Sequence, residues 1–138
     1  MNCFTYKELQ IGQTAEFSRI ITEEMMEDFC KISGDENPLH VSKDFASQKG
    51  FPDRVVYGML TSSLYSCLGG VYIPGKHCLL QSVHADFISP VFIGDILTVH
   101  GVVKEKYDSV KQVVIKAEIR NQDGKKVSKA IIKAGVTK

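Results

Sequence analysis

The stretch SGDENPLH, residues 33–40, stands between a helical pattern and the rest of the chain. The helical pattern ends at Gly34, and a residue before a proline is pushed out of the α region, so Asn37 is expected to be extended. We therefore predict that Asp35 and His40 lie on a bent, non-helical segment. A carboxylate and an imidazole on such a bend can hold one water between them, as general acid–base chemistry requires. The alternative interpretation is a helix C-cap followed by a polar loop, because Asp, Asn, Pro and Gly all favour turns.

The residues before this stretch predict one strand and one amphipathic helix. Residues 15–20 alternate weakly between apolar and polar types, which favours a first strand. Thr22 is a suitable N-cap, and two glutamates follow it where the helix dipole favours negative charge. Apolar residues then recur at helical spacing, and Gly34 stands where a C′ glycine belongs. The packing of this helix is expected to determine where the carboxylate of Asp35 lies.

The residues between Arg54 and Lys76 carry no charge. This run is long enough for a membrane span, but it contains four glycines, one proline and four Ser or Thr residues, with no flanking basic clusters. We therefore predict a core helix from about Gly58 to Leu68 that is buried on nearly all sides. Ahead of it, Ser42 is expected to cap a short helix that ends before Gly50.

The last third of the sequence predicts four strands. They are residues 80–88, 96–106, 113–120 and about 130–136, with a turn at residues 121–124. Apolar residues alternate cleanly in the last two of these strands, which indicates an antiparallel sheet with one buried face. The sequence therefore predicts a single α+β domain over residues 1–138, without a repeat or a linker.

Together, SGDENPLH, Phe51-Pro52 and Gly58-Met59-Leu60 resemble the MaoC-type (R)-specific enoyl-CoA hydratases of the hot-dog superfamily. The resemblance covers nearly the whole chain. It implies a hot-dog fold, in which a curved antiparallel sheet wraps around a buried central helix, and two such domains pair edge to edge. It also implies a homodimer or a multiple of it, and no cofactor.

The resemblance assigns roles to four residues. Asp35 and His40 are the expected catalytic pair that holds the water. Gly58 opens the core helix, where a free N–H can stabilise the oxyanion of a thioester, and Ser66 matches a serine near the catalytic pair. For both there is a structural alternative, since glycine permits close packing and a helical serine can bond back to a carbonyl.

The chain departs from the family pattern at one position. Relatives usually have His-Gly-Met where this chain has Tyr57-Gly58-Met59. Tyrosine is bulkier than histidine and is not a base near neutral pH. Tyr57 and Met59 are therefore expected to affect the shape of the acyl pocket and the choice of substrate.

The reaction implied by the resemblance is the reversible hydration of a trans-2-enoyl thioester to an (R)-3-hydroxyacyl thioester. Asp35 is the expected base toward C3, and His40 orients the water or assists proton delivery to C2; the sequence does not separate these two jobs. The thioester is carried by coenzyme A or by an acyl carrier protein. Two alternatives remain open: an acyl-thioester hydrolase of the same fold, and a non-catalytic module that binds acyl thioesters.

Composition excludes other classes of function. A net charge of +1 and the absence of a basic run argue against nucleic-acid binding. The four cysteines show no disulfide-framework spacing, and residues 1–20 carry charges without an apolar run, which predicts a reduced, cytoplasmic protein without a secretory signal. His84 and Asp86 share a strand face and are expected to form a polar pair. No set of metal ligands stands out, so no metal is expected.

Overall fold

A computed structural model describes all residues, 1–138. The elements, in chain order, are β1 (Thr14–Ile20), α1 (Glu23–Ser33), α2 (Pro38–Val41), α3 (Lys43–Gln48), α4 (Gly58–Cys67), β2 (Cys78–Phe87), β3 (Ile96–Tyr107), β4 (Gln112–Arg120) and β5 (Lys126–Val136). A π-helical turn, Leu68–Tyr72, continues α4. The predicted strands and the order of the elements are thus confirmed. No helix is long and apolar enough to cross a membrane.

The five strands form one antiparallel sheet in the order β1-β3-β4-β5-β2. The core face of β4 is the one that the alternation predicts, and its four core residues are Val113, Ile115, Ala117 and Ile119. Ile115 lies opposite Ile132 on β5 and opposite Val103 on β3, and all three are fully buried. The central strands β3, β4 and β5 therefore contribute most of the buried residues of the sheet, while β1 and β2 form its two edges.

Helix α1 has both of the predicted caps. The Thr22 hydroxyl accepts a hydrogen bond from the N–H of Met25 at 3.2 Å. At the other end Gly34 adopts φ 73°, and its N–H donates to the carbonyl of Cys30 at 2.8 Å. A left-handed residue at this position suits glycine, because glycine has no Cβ to clash. The helix therefore ends at Ser33, two residues before Asp35.

The prediction of a non-helical segment as far as His40 is wrong. Asn37 is extended as expected, with φ −54° and ψ 127°, but helix α2 begins at the next residue. Pro38 occupies the first turn of α2, where a missing N–H costs nothing, and the Asn37 side chain caps it by accepting from the N–H of Leu39 at 2.9 Å. His40 is therefore held on a helical turn.

Helix α4 lies where the sequence predicts it, but it is less buried than expected. Only Thr61 and Tyr65 are fully buried, whereas Met59 is 64% exposed and Ser66 is exposed. The Tyr65 hydroxyl donates to the Ser128 hydroxyl at 2.8 Å and so joins α4 to β5. A single chain covers one side of α4 and leaves the other side open.

Candidate active site

His40 is fixed in one orientation by the backbone of a neighbouring segment. Its Nδ1 lies 2.6 Å from the carbonyl oxygen of Val55. A carbonyl can only accept, so Nδ1 carries the proton and donates to it. The Val55 N–H donates in turn to the carbonyl of Leu39 at 3.1 Å, which ties the same two segments together. The Nε2 atom of the neutral ring is left with a free lone pair, as a base or a water acceptor requires.

Asp35 lies on the exposed turn between α1 and α2. Its carboxylate accepts a hydrogen bond from the N–H of Asn37 at 3.0 Å, and its own N–H donates to the Ser33 hydroxyl at 3.1 Å. These local bonds hold the turn that the Asn-Pro pair was expected to form. No hydrogen bond links the Asp35 carboxylate to His40, so the two side chains remain available to a third group.

Tyr57 connects the two candidate catalytic residues. Its side chain is 2% exposed, and its hydroxyl donates to the backbone carbonyl of Asp35 at 2.7 Å. Its ring lies under the His40 imidazole, with the ring centroids 4.2 Å apart. Burial, with a smaller contribution from a hydrogen bond to Cys30, raises the pKa of Tyr57 to about 12. The phenol therefore stays protonated and remains a donor at any physiological pH.

A cavity of about 350 Å³ opens beside His40. His40 and the start of α4, at Gly58 and Thr61, form one wall. The end of β2 and the segment that follows it form most of the remainder, with Phe87, Ile88, Ser89, Pro90 and Val91. This lining is mainly apolar with a few polar groups, which is the usual composition of a small-molecule site.

Gly58 has two properties that suit a substrate-binding position. No side chain caps the first turn of α4, so its N–H groups are free and the helix dipole adds partial positive charge. A Cβ at Gly58 would also lie 3.1 Å from the ring of Phe87. The close-packing explanation for this glycine therefore holds as well, since a larger residue would push the Phe87 ring away.

The other predicted site residues lie outside this cavity. Ser66 and Met59 are exposed on the open side of α4, and Asp35 does not contribute to the cavity wall. Tyr57 lines a second depression, of about 490 Å³, together with Cys30 and with His40, which borders both cavities. The roles of Ser66 and of Tyr57 and Met59 as acyl-pocket residues stay predictions.

Sequence reasoning missed Thr61, Phe87 and the carbonyl of Val55. Thr61 has one sequence signal, because it follows Gly58 by three residues and so shares its helix face. Phe87 and Val55 have no sequence signal. Phe87 is distant in sequence from the other cavity residues, and Val55 contributes a backbone carbonyl, which does not depend on residue type. The structure brings Phe87 to the cavity from the far end of β2.

The remaining polar clusters are ordinary surface features. His84 and Asp86 form the expected pair, 3.9 Å apart and exposed. All four cysteines are free. No group of three or more His, Cys, Asp or Glu residues is placed to hold a metal ion.

Comparison with known proteins shows which family the sequence matches. The sequence model of the MaoC like domain matches residues 7–125. The (R)-specific enoyl-CoA hydratase of Rhodospirillum rubrum is 33% identical over 105 residues, which cover 73% of each chain. The 3-hydroxybutyryl-CoA dehydratase of Methylorubrum extorquens is 34% identical over 100 residues, which cover 72% of this chain and 64% of that protein. A mitochondrial 3-hydroxyacyl-[acyl-carrier-protein] dehydratase of Arabidopsis thaliana matches over 51% of its own length. The matches thus span between half and three quarters of these relatives.

Two solved structures superpose closely on this chain. The unliganded R-hydratase PhaJ1 from Pseudomonas aeruginosa has a TM-score of 0.90 and 32% identity, covering 96% of this chain and 84% of that one. The (R)-hydratase of Aeromonas caviae also has a TM-score of 0.90, with 29% identity, covering 94% of this chain and 98% of that one. These superpositions confirm the predicted hot-dog fold, in which a five-stranded antiparallel sheet wraps around a central helix.

Proposed function

Because the chain belongs to the MaoC-like family, we propose that it adds water reversibly to trans-2-enoyl thioesters and yields (R)-3-hydroxyacyl thioesters. One structural observation carries the proposal. His40, whose Nε2 has no partner within the protein, and the uncapped start of α4 at Gly58 line one mostly apolar cavity. A base or water acceptor thus stands close to a donor for the thioester oxygen, and acyl hydration requires both.

In the proposed mechanism, water attacks C3 of the enoyl group while Asp35 takes a proton from it. The electron pair of the double bond moves toward the carbonyl, and the resulting enolate oxygen receives a hydrogen bond from the N–H at Gly58. The proton that Asp35 took from the water then passes to C2, either directly or through the Nε2 atom of His40. Tyr57 supports both residues, because it holds the backbone of Asp35 and the ring of His40.

Relatives suggest both kinds of acyl carrier. The Methylorubrum protein is named for a coenzyme A ester, and the Arabidopsis protein for an acyl carrier protein. The proposal therefore covers both classes of thioester.

The family resemblance adds Tyr57 and Met59 to the proposal as residues that shape the acyl pocket. The four free cysteines support a reduced, cytoplasmic setting.

We extend the proposal to a homodimer, or a multiple of it, built through the edge strand β2. This strand pairs only with β5, so its other edge offers unpaired N–H and C=O groups. The apolar residues exposed along it and just after it are Leu79, Leu80, Val83, Phe87 and Ile88. A second copy pairing along this edge would cover them, and it would also reach the cavity, because Phe87 and Ile88 belong to both. The exposed Ser66 on α4 is expected to function in that assembled state.

The first experiment is an assay of enoyl-CoA hydration with variants of the catalytic pair. Asp35→Asn and His40→Ala should each lower kcat by about 100-fold or more, which is the contribution expected of general acid–base groups. Asp35 lies on an exposed turn, so Asp35→Asn should melt close to wild type, whereas His40→Ala also loses the bond to Val55 and the contact with Tyr57 and should melt somewhat lower. The neighbouring Glu36→Gln is the matched control and should keep full activity. Either variant of the pair retaining most of its activity would overturn the mechanism.

A further inference from the structure

Thr61 carries a buried hydroxyl without a hydrogen-bond partner. The residue is 2% exposed, and its Oγ1 is the one buried side-chain nitrogen or oxygen in the molecule that lacks a partner. Thr61 also forms part of the cavity wall, between Gly58 and the apolar residues of the opposite side. Buried polar groups are nearly always hydrogen-bonded, so an orphan in a cavity wall calls for an explanation.

The neighbouring hydroxyls show that the helix could have satisfied this group. Ser62 and Ser63 each donate back to a backbone carbonyl one turn earlier, at 3.2 and 2.6 Å. The Tyr65 hydroxyl, also buried, has a partner on β5. Back-bonding is the common solution for Ser and Thr within a helix. Thr61 makes no such bond, so its enclosed hydroxyl has no partner within the protein.

The position of Thr61 brings its hydroxyl near the start of α4. Thr61 follows Gly58 by three residues, which is about one helical turn on the same face. Side chains of a helix tilt toward its N-terminus, so the Thr61 side chain reaches back toward the free N–H groups at Gly58. Threonine also has two accessible χ1 rotamers in a helix. In the observed structure the oxygen is enclosed, so a donor role requires a rotation about this bond that turns the hydroxyl toward the cavity.

The chemistry of the substrate limits what this hydroxyl can bind. We infer that the Thr61 hydroxyl is a second donor, beside the N–H at Gly58, to the carbonyl oxygen of the bound thioester. The acyl end of a trans-2-enoyl thioester contains one strong hydrogen-bond acceptor, and it is this oxygen. An enolate oxygen has lone pairs for two donors, and two preorganised donors stabilise it better than one. This inference rests on the proposed function, since it assigns a contact to the same substrate.

The test replaces the hydroxyl by a methyl group of equal size. Thr61→Val should lower kcat for trans-2-enoyl-CoA hydration by about 10- to 100-fold, below the range for a sole oxyanion donor because Gly58 remains. The same variant should melt at a higher temperature than wild type, because it removes an unsatisfied buried group. Thr61→Ser keeps the hydroxyl and should keep most of the activity. Ser63→Ala, which removes a partnered and exposed hydroxyl of the same helix, is the matched control and should leave kcat unchanged.

The outcomes separate this inference from the proposed function. Thr61→Val with wild-type kcat would overturn the donor role while leaving the hydratase assignment intact. Equal losses in Thr61→Val and Thr61→Ser would also overturn it, because shape rather than the hydroxyl would then explain both. A wild-type protein that does not hydrate the ester would overturn the proposed function and this inference together. Activity that falls while stability rises, in Thr61→Val alone, is the result that a purely structural threonine does not give.

Discussion

At the scale of single residues, Tyr57 is the position where the sequence predicts a departure from the family pattern, and it is also the position that joins the candidate catalytic groups. Its hydroxyl holds the carbonyl of Asp35, and its ring supports His40. A histidine at this position would have a shorter side chain and a different set of donors. The departure therefore affects the support of the catalytic pair as well as the shape of the pocket.

Tyr57→Phe should separate these two effects. The variant keeps the ring under His40 but releases the carbonyl of Asp35, so kcat should fall by about five- to tenfold, the equivalent of one lost hydrogen bond. KM should change little, because the acyl cavity keeps its walls. The control is Tyr107→Phe, which removes an exposed hydroxyl bonded to Glu105. An unchanged kcat in Tyr57→Phe would show that the hydroxyl does not position Asp35.

Residue types and spacing predict part of this site and not the rest. Asp35, His40 and Gly58 stand in a recognisable local motif, so the sequence alone makes them candidates for this site. The hydroxyl of Tyr57 has its partner 22 positions away, and the orphan state of Thr61 depends on what every neighbour leaves unbonded. Both features result from packing between segments that are distant in sequence, so a local sequence pattern does not predict them.

At the scale of elements, the predicted strands and caps agree with the structure because each has a local cause. Thr22 and Gly34 set the ends of α1, and alternation sets the buried face of β4. The segment after Asn37 was mispredicted, because proline favours the first turn of a helix as readily as it ends one. The burial of α4 was overestimated, since the apolar run at residues 55–75 does not reveal that its open side lacks a cover within one chain.

The free edge of β2 is the expected contact between two copies of the chain. Val83→Lys places a charge on the exposed edge strand, and two-fold pairing would bring two such lysines close together, which is unfavourable. The variant should be a folded monomer by light scattering at micromolar concentration, where wild type should have the mass of a dimer or a multiple of it. Its hydration activity should fall as well, because the edge adjoins the cavity at Phe87 and Ile88.

The matched control is Val110→Lys, on the exposed turn between β3 and β4. It adds the same charge and should remain assembled and active. A wild-type protein with the mass of a monomer, or a Val83→Lys variant that stays a dimer, would rule out assembly through β2.

At the scale of the whole molecule, the fold accounts for where the chemistry can occur. The sheet provides a rigid floor, α4 presents its uncapped start above it, and α1 and α2 deliver Asp35 and His40 to the same end. The fold alone does not choose a reaction, since one site on a shared architecture can host different chemistries. Attack of water on C3 and attack on the carbonyl carbon would use the same water and the same oxyanion donors.

The most direct test of the central claim compares an unsaturated and a saturated thioester. Hydration needs a double bond conjugated to the carbonyl, whereas hydrolysis does not. We predict that a short trans-2-enoyl-CoA loses its enone absorbance without release of free thiol, that its product is the (R)-3-hydroxyacyl ester, and that the saturated acyl-CoA stays unchanged. Stoichiometric thiol from the saturated ester, measured with a thiol reagent, would contradict the account and assign the chain as a thioesterase.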